Sequence, residues 1–290
     1  MKKKAIVCII LAGMFWGTSG IFVHFLAPLG LSSMQMTCIR GVVSVLTLVI
    51  FALIRDRGIF KTNKKDLWLY ILSGASMFMT ATCYYASMQM TSVSTAVVLM
   101  YIATIIVMLY SVLFLGEKLT PLKIIAVVFM LLGCGLVSGV VGGLKFDLLG
   151  IIIGLLSSIS YTVYNIVTKV QMKRGCNPVT SNTYCFSLMS IIALSLSKPW
   201  QIAEIAVLNP INILLMIGCG LCTCIIPYFL YTLAFKSLPA GTVSALGVIE
   251  PMAATLYSVT LLGERLDVFS IIGIVLILSA VFMLSQTKEN

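Results

Sequence analysis

Long apolar runs with few charged residues follow one another along almost the whole chain. Each run is about 20 residues long, which is the length an α-helix needs to cross the hydrocarbon core of a bilayer. Short stretches containing Gly, Pro, Asn or charged residues separate the runs. The pattern predicts ten membrane-spanning helices, at 5–26, 34–54, 67–87, 93–115, 121–140, 148–169, 179–197, 211–234, 240–262 and 268–285.

The composition supports this pattern. Hydrophobic residues make up 60% of the 290-residue chain and charged residues only 10%, whereas a soluble domain carries roughly 25% charged residues. Ten spans of about 20 residues leave roughly 90 residues for tails and loops, which is too few for a domain outside the membrane. We therefore expect an all-α polytopic membrane protein and not a soluble enzyme.

The net charge of +10 indicates topology more than a nucleic-acid partner. If the amino terminus is cytoplasmic, 15 of the 19 Lys and Arg residues lie on the inside and three on the outside, at Lys145, Lys198 and Arg265. This asymmetry follows the positive-inside rule for an even number of spans. It predicts an integral protein of the plasma membrane with both termini in the cytoplasm.

An internal repeat divides the chain. A shift of 147 residues aligns Gly116–Leu119 (GEKL) with Gly263–Leu266 (GERL), and 15 of the 45 pairs starting at Tyr84 are then identical. The repeat predicts two five-helix units, at 1–144 and 145–290. Because five is odd, the second unit must be inverted relative to the first. Inverted repeats recur in secondary transporters, whose substrate site lies near the midplane between the halves.

The sequence also resembles the EamA-type branch of the drug/metabolite transporter superfamily. The resemblance covers nearly the whole chain and rests on Trp16-Gly17, Arg40, the two Gly-Glu-basic-Leu motifs and Glu250-Pro251. It implies ten helices in two inverted halves and the export or exchange of small metabolites, commonly amino acids, amines or carboxylates. Such proteins often carry a proline near the middle of the fourth helix, where this chain has Tyr101-Ile102-Ala103-Thr104. The two halves are therefore expected to flex unequally.

Ionisable residues inside membrane spans are costly and commonly functional. Glu250 lies about ten residues into its span, or about 15 Å, close to the midplane, and Arg40 lies about six residues, or about 9 Å, into its span from the opposite side. The two side chains could pair. Alternatively, Glu250 could be protonated, a form that burial favours, and exchange a proton or a cationic substrate, while Arg40 could clamp backbone carbonyls or a substrate carboxylate.

Polar and aromatic residues at helical spacing indicate helix faces that contact protein or water instead of lipid. We expect substrate contacts from the aromatic and polar residues Trp16, Tyr85, Tyr101, Asn165 and Tyr228, beside Arg40 and Glu250. Pro251 and Pro227 each remove a helix hydrogen bond and are candidate hinges. Simple packing between helices is the alternative for every one of these residues.

Other classes of function find little support in the sequence. Cys219, Cys222 and Cys224 form a C-x-x-C-x-C run without a nearby His or a second Cys cluster, so we predict no metal site and no cofactor. The chain lacks the H-E-x-x-H and G-x-S-x-G motifs of membrane-embedded and serine hydrolases, and we predict no enzyme. The sequence thus favours a secondary transporter of a small metabolite, monomeric or homodimeric and possibly coupled to protons, with a channel or uniporter as the alternative.

Overall fold

The structure, a computed structural model, describes residues 2–55, 57–60, 62–91, 93–138, 147–263 and 267–286. In these ranges the chain forms fourteen α-helices, and no strand is found within them. The helices are α1 (Lys2–Gly17), α2 (Ser19–Leu26), α3 (Ser33–Arg55), α4 (Leu67–Met90), α5 (Val93–Phe114), α6 (Pro121–Val137), α7 (Leu148–Lys173), α8 (Pro178–Leu196), α9 (Pro199–Leu208), α10 (Pro210–Gly220), α11 (Ile226–Phe235), α12 (Ala240–Gly247), α13 (Ile249–Leu262) and α14 (Val268–Gln286).

The predicted membrane spans are confirmed. Nine segments of the described chain are long and apolar enough to cross a membrane, and α6, at 17 residues, is a shorter apolar helix in the place of the fifth span. The chain is thus a polytopic membrane protein of the predicted all-α class. The predicted boundary between the two units at 144 and 145 lies outside the described residues, as do 264–266 of the second GERL motif.

Several helices begin where a capping side chain precedes a proline. The side chains of Asn177, Asn209 and Thr120 accept hydrogen bonds from backbone N–H groups of α8, α10 and α6, respectively, and each is followed by proline. Proline suits the first helical position because its fixed φ matches the helix and its missing N–H would be unpaired there. These signals fix where α6, α8 and α10 begin.

Three predicted spans are interrupted helices instead of continuous ones. The first span changes from α1 to α2 at Thr18, and the ninth changes from α12 to α13 at Val248. The eighth contains a π-helical turn, Leu221–Ile225, between α10 and α11. Pro251 follows the interruption of the ninth span, and Pro227 follows the π-helical turn of the eighth. Each proline lacks the N–H that would bond the carbonyl four residues earlier.

The helices pack in a pattern that repeats when the two halves are exchanged. The third span (α4) packs against the sixth (α7), and the corresponding eighth (α11) packs against the first (α1). The second and seventh spans (α3 and α8) and the fifth and tenth (α6 and α14) pack against their own counterparts. This pairwise exchange is the packing expected of two related five-helix units.

Glycines bring the first span close to the ninth. A Cβ atom on Gly13 would lie 2.5 Å from Cγ2 of Ile249, and one on Gly17 would lie 2.8 Å from the backbone nitrogen of Ala254. Only a residue without a side chain permits this approach. The packing fixes the position of α13, whose first turn carries Glu250.

Candidate functional site

A cavity of about 470 Å³ lies among helices from both halves of the chain. Its volume is within the range of about 300–1,000 Å³ that is typical of small-molecule sites. Six aromatic side chains contribute to its wall, namely Trp16, Tyr84, Tyr85, Tyr101, Tyr161 and Tyr228. Two ionisable side chains, Arg40 and Glu250, also line it.

The cavity occupies the half of the bundle that lies away from the amino terminus. It reaches Val23 near the end of the first span, Met36 near the start of the second and Ser138 at the end of the fifth. Tyr161, near the middle of α7, and Tyr228, in the first turn of α11, lie at its deep end. The cavity therefore extends from the middle of the bundle towards one of its two faces.

Arg40, on α3, is held by groups from both halves. Its Nη1 donates to the hydroxyl of Tyr85 at 2.9 Å, and its Nη2 donates to the carbonyl of Thr223 at 2.8 Å. That carbonyl is available because Pro227, four residues later, has no N–H to bond it. Nε of Arg40 is buried and makes no hydrogen bond within the described residues. Nη1 and Nη2 each carry a second N–H beside the bond named above, so the guanidinium keeps capacity for a further acceptor.

Glu250 lies just after the interruption of the ninth span. The hydroxyl of Tyr101, on α5, donates to its Oε2 at 2.8 Å. Arg40 and Glu250 form no ion pair; among the described residues the recorded pair is Arg174 with Asp66, at 2.8 Å. The cavity thus presents a cation and a carboxyl group whose polar partners are mainly neutral groups.

Aromatic rings form the deep end of the cavity around Trp16. The rings of Tyr228 and Tyr231 both lie 5.0 Å from that of Trp16, edge to face. Tyr231 is fully buried, and its hydroxyl donates to the side chain of Asn165 at 2.6 Å. Since Trp16 comes from the first half and both tyrosines from the second, the cluster joins the two units beneath the cavity.

The structure brings seven of the nine predicted site residues together on the cavity wall. These are Trp16, Arg40, Tyr85, Tyr101, Tyr228, Glu250 and Pro251. The other two lie behind the wall. Asn165 is fully buried and also donates to the carbonyl of Tyr161 at 2.7 Å. Pro227 does not line the cavity, but its missing N–H leaves the Thr223 carbonyl available to Arg40.

Some of the polar side chains on the third and sixth spans hold these two helices together. Ser87 donates to the carbonyl of Gly150 at 2.8 Å, and Ser157 donates to the carbonyl of Thr80 at 3.1 Å. Gly154 permits the approach, because a Cβ there would lie 2.7 Å from Oγ of Ser87. Other hydroxyls on these faces, including those of Ser76, Thr80 and Thr168, donate to carbonyls of their own helix.

A set of methionines that was not predicted from the sequence also lines the cavity. They are Met36, Met77, Met88, Met100 and Met189. Methionine is common in apolar helices, so its spacing carries no signal in a chain with 16 of them. Its flexible thioether adapts to varied apolar shapes, and these residues make much of the wall apolar and adaptable.

Comparison with known proteins identifies the family of this architecture. A model of the EamA-like transporter family matches residues 3–139 and again residues 148–286. Proteins named as uncharacterized transporters are similar along nearly the whole chain. One from Clostridium kluyveri is 24% identical, covering 99% of this chain and 95% of its own length, and one from Archaeoglobus fulgidus is 28% identical, covering 95% and 94%.

A relative from Bacillus subtilis, uncharacterized transporter YwfM, is 24% identical and covers 97% of this chain and 94% of its own length. Among solved structures, a crystal structure with 14% sequence identity superposes with a TM-score of 0.80, covering 98% of this chain and 96% of the other. At that identity the likeness concerns the fold alone.

Proposed function

Since the chain belongs to the EamA-like transporter family and is a membrane transporter, we propose that it exports or exchanges a small zwitterionic metabolite of the amino acid class. Transport proceeds by alternating access in the plasma membrane, with both termini in the cytoplasm. Glu250 carries the proton that couples transport to the proton gradient.

The observation that carries this proposal is that Arg40 and Glu250 line the same cavity without pairing with each other. The remaining donors of the Arg40 guanidinium suit a substrate carboxylate, because Arg and carboxylate match in geometry. The Glu250 carboxylate suits a substrate ammonium group. A zwitterion satisfies both groups at once, whereas an amine or a carboxylate satisfies only one.

The apolar part of the wall supports a substrate with an apolar side chain. Aromatic rings offer flat apolar surfaces, and tyrosine adds a hydroxyl. Trp16 and Tyr228 stand at the deep end of the cavity, and Met88 and Met100 line it as well. A substrate side chain placed here loses contact with water and gains dispersion contacts, while its charged end stays between Arg40 and Glu250.

Coupling follows from the cost of leaving a buried carboxylate uncompensated. As the cavity closes around it, Glu250 needs either a proton or the ammonium group of the substrate. The two compete for one site, so each crosses the membrane in a separate half of the cycle. Protons entering from outside then drive the substrate outwards, which is an antiport mechanism suited to export.

Counterflow in proteoliposomes tests this proposal. Purified protein is loaded in turn with amino acids, small amines and carboxylates, with and without an imposed pH gradient. We expect saturable exchange of amino acids that the pH gradient accelerates. Glu250→Gln keeps the shape of the side chain but cannot ionise. Exchange should continue with a weaker apparent affinity, because the substrate ammonium group loses its carboxylate partner, while the acceleration by the gradient is lost.

Glu204→Gln is the matched control, because Glu204 is an exposed carboxylate on α9, away from the cavity. It should respond to the gradient like the wild type. Exchange of amines or carboxylates alone would contradict the zwitterion assignment, and a retained gradient response in Glu250→Gln would remove Glu250 from coupling. Solute leakage without saturation would favour a channel.

A further inference from the structure

The fourth and ninth spans are in direct contact on the side of the bundle away from the cavity. A Cβ atom on Gly241 of α12 would lie 3.2 Å from the Cα of Met108 on α5. One turn further along, the hydroxyl of Ser244 donates to that of Thr104 at 3.2 Å. Because α5 belongs to the first half and α12 to the second, this contact closes the bundle between the halves.

The backbones of the same two spans are farther apart at their other ends, where the side chains of Tyr101 and Glu250 bridge them. Val97 and Tyr101 on α5 line the cavity, as do Ala254 and Thr255 on α13. The fourth and ninth spans therefore converge at the end nearest the amino terminus and diverge around the cavity. In an alternating-access cycle the converged end is the one that must open to admit substrate from that side.

Glu117 lies at the converged end, in the turn after α5. Its Oε1 accepts from the backbone N–H of Ala240 at 2.7 Å, and its Oε2 accepts from that of Gly241 at 3.4 Å. The residue before α12 is Pro239, which offers no capping side chain. A carboxylate from the first half thus caps a helix of the second half, where it also interacts favourably with the helix dipole.

The turn that Glu117 meets is also held by α7. Lys169, on α7, is buried, and its Nζ donates to the carbonyl of Phe235 at 2.9 Å and to that of Leu238. These bonds hold the turn between α11 and α12 against α7. Because α7 itself packs against α4 and α5, Lys169 and Glu117 both hold the start of α12 to this group of helices, and the bonds to Glu117 are lost when α12 moves away from α5.

We propose that Glu117 is the latch of an inner gate that holds the transporter open towards the outside, an inference that rests on the alternating-access cycle proposed above. Separation of α5 from α12 breaks both bonds to Glu117 and leaves the first N–H groups of α12 without their cap. The latch thereby stabilises the state in which the cavity is open and the opposite end is closed. Removing it shifts the population towards the state open to the inside.

Hydrogen exchange of the purified protein, followed by mass spectrometry, tests this proposal without substrate or ion gradient. In Glu117→Ala the population should shift by about tenfold towards the inward-open state, the usual effect of losing a helix cap. Amides in the first turn of α12 should then exchange faster. Amides that line the cavity, at 95–101 and 252–258, should exchange more slowly, because the outer side closes when the inner side opens.

Asp147→Ala is the matched control. Asp147 accepts from the N–H of Gly150 at 2.7 Å and so caps α7 within its own half. Its loss should accelerate exchange at the start of α7 and leave the cavity segments unchanged. Glu117→Gln, which retains one acceptor oxygen, should give a smaller shift in the same direction and serves if Glu117→Ala does not fold.

Faster exchange at α12 without slower exchange at the cavity segments in either Glu117 variant would overturn the latch, since a merely local cap gives that result. Because no substrate is used, an error in the proposed substrate class or coupling ion leaves this outcome unchanged. Failure of the latch and failure of the proposed function are therefore distinguished.

Discussion

Arg40 depends on the hydroxyl of Tyr85, which accepts from its Nη1 at 2.9 Å. A hydrogen bond to a charged group contributes about 1.5–3 kcal/mol. Tyr85→Phe removes this acceptor and lets the guanidinium move. We expect the apparent substrate affinity in counterflow to weaken by about tenfold or more, while the protein still purifies as a folded monodisperse species.

Tyr84→Phe is the control for this change. Tyr84 is the neighbouring residue, it lines the same cavity, and no side-chain hydrogen bond of its hydroxyl is found within the described residues. We expect a substrate affinity within about threefold of the wild type, since the Tyr84 hydroxyl has no side-chain hydrogen bond to lose and such substitutions have small effects. Equal losses in the two variants would mean that Tyr85 acts through its ring or through water, and not through Arg40.

The sequence was sufficient to find the two ionisable residues of the site but not their partners. Arg40 and Glu250 are identifiable because charges inside spans are rare and costly. Their contacts with Tyr85, Thr223 and Tyr101 depend on how helices distant in sequence approach each other, which periodicity does not report. Asn165 illustrates the same limit, since its polar side chain satisfies Tyr231 behind the wall instead of facing the cavity.

At the scale of elements, an irregular stretch of the eighth span supplies a backbone hydrogen-bond acceptor to the site. Pro227 lacks an N–H, a π-helical turn precedes it at Leu221–Ile225, and Arg40 takes the carbonyl of Thr223 that the helix leaves free. Pro227→Ala supplies an N–H that competes for this carbonyl and favours a regular helix by up to about 3 kcal/mol.

We expect Pro227→Ala to have an equal or higher melting temperature, because the helix gains a hydrogen bond. We also expect a several-fold weaker substrate affinity, because Arg40 then shares the Thr223 carbonyl with the new N–H group. Thermal unfolding and counterflow measure the two effects. Pro210→Ala is the control, as Pro210 begins α10, where a missing N–H costs nothing. Unchanged affinity in Pro227→Ala would separate the π turn from the site.

Sequence patterns located the helices better than their interruptions. Pro227 and Pro251 lie in the eighth and ninth spans, where the structure has interrupted helices, and their role as hinges stays a prediction. No proline or charge marks the change at Thr18, where the hydroxyl donates to the carbonyl of Phe15 at 2.7 Å. The helix α9 was missed as well, because its ten residues are too few for a span and fall in a predicted loop.

At the scale of the molecule, the apolar runs and the internal repeat predicted the spans and the two related units, because both are properties of the chain itself. The apolar runs and the repeat did not predict towards which face of the bundle the cavity opens. Helices of an inverted repeat can pack in two arrangements that exchange the roles of the halves, and the proposed transport cycle uses both. The structure has the arrangement in which the end near α12 is closed.

This arrangement, together with the placement of basic residues, predicts a cavity open to the cell exterior. Val23 lines the cavity and is 39% exposed, whereas Ser244 lies at the closed end and is 2% exposed. In intact cells, a membrane-impermeant maleimide should label Val23→Cys above the background from the native cysteines, most of which are buried. Ser244→Cys should stay at that background. Labelling of Val23→Cys only after the membrane is permeabilised would place the cavity on the cytoplasmic side, and both the topology from the positive-inside rule and the direction of the inner gate would then be reversed.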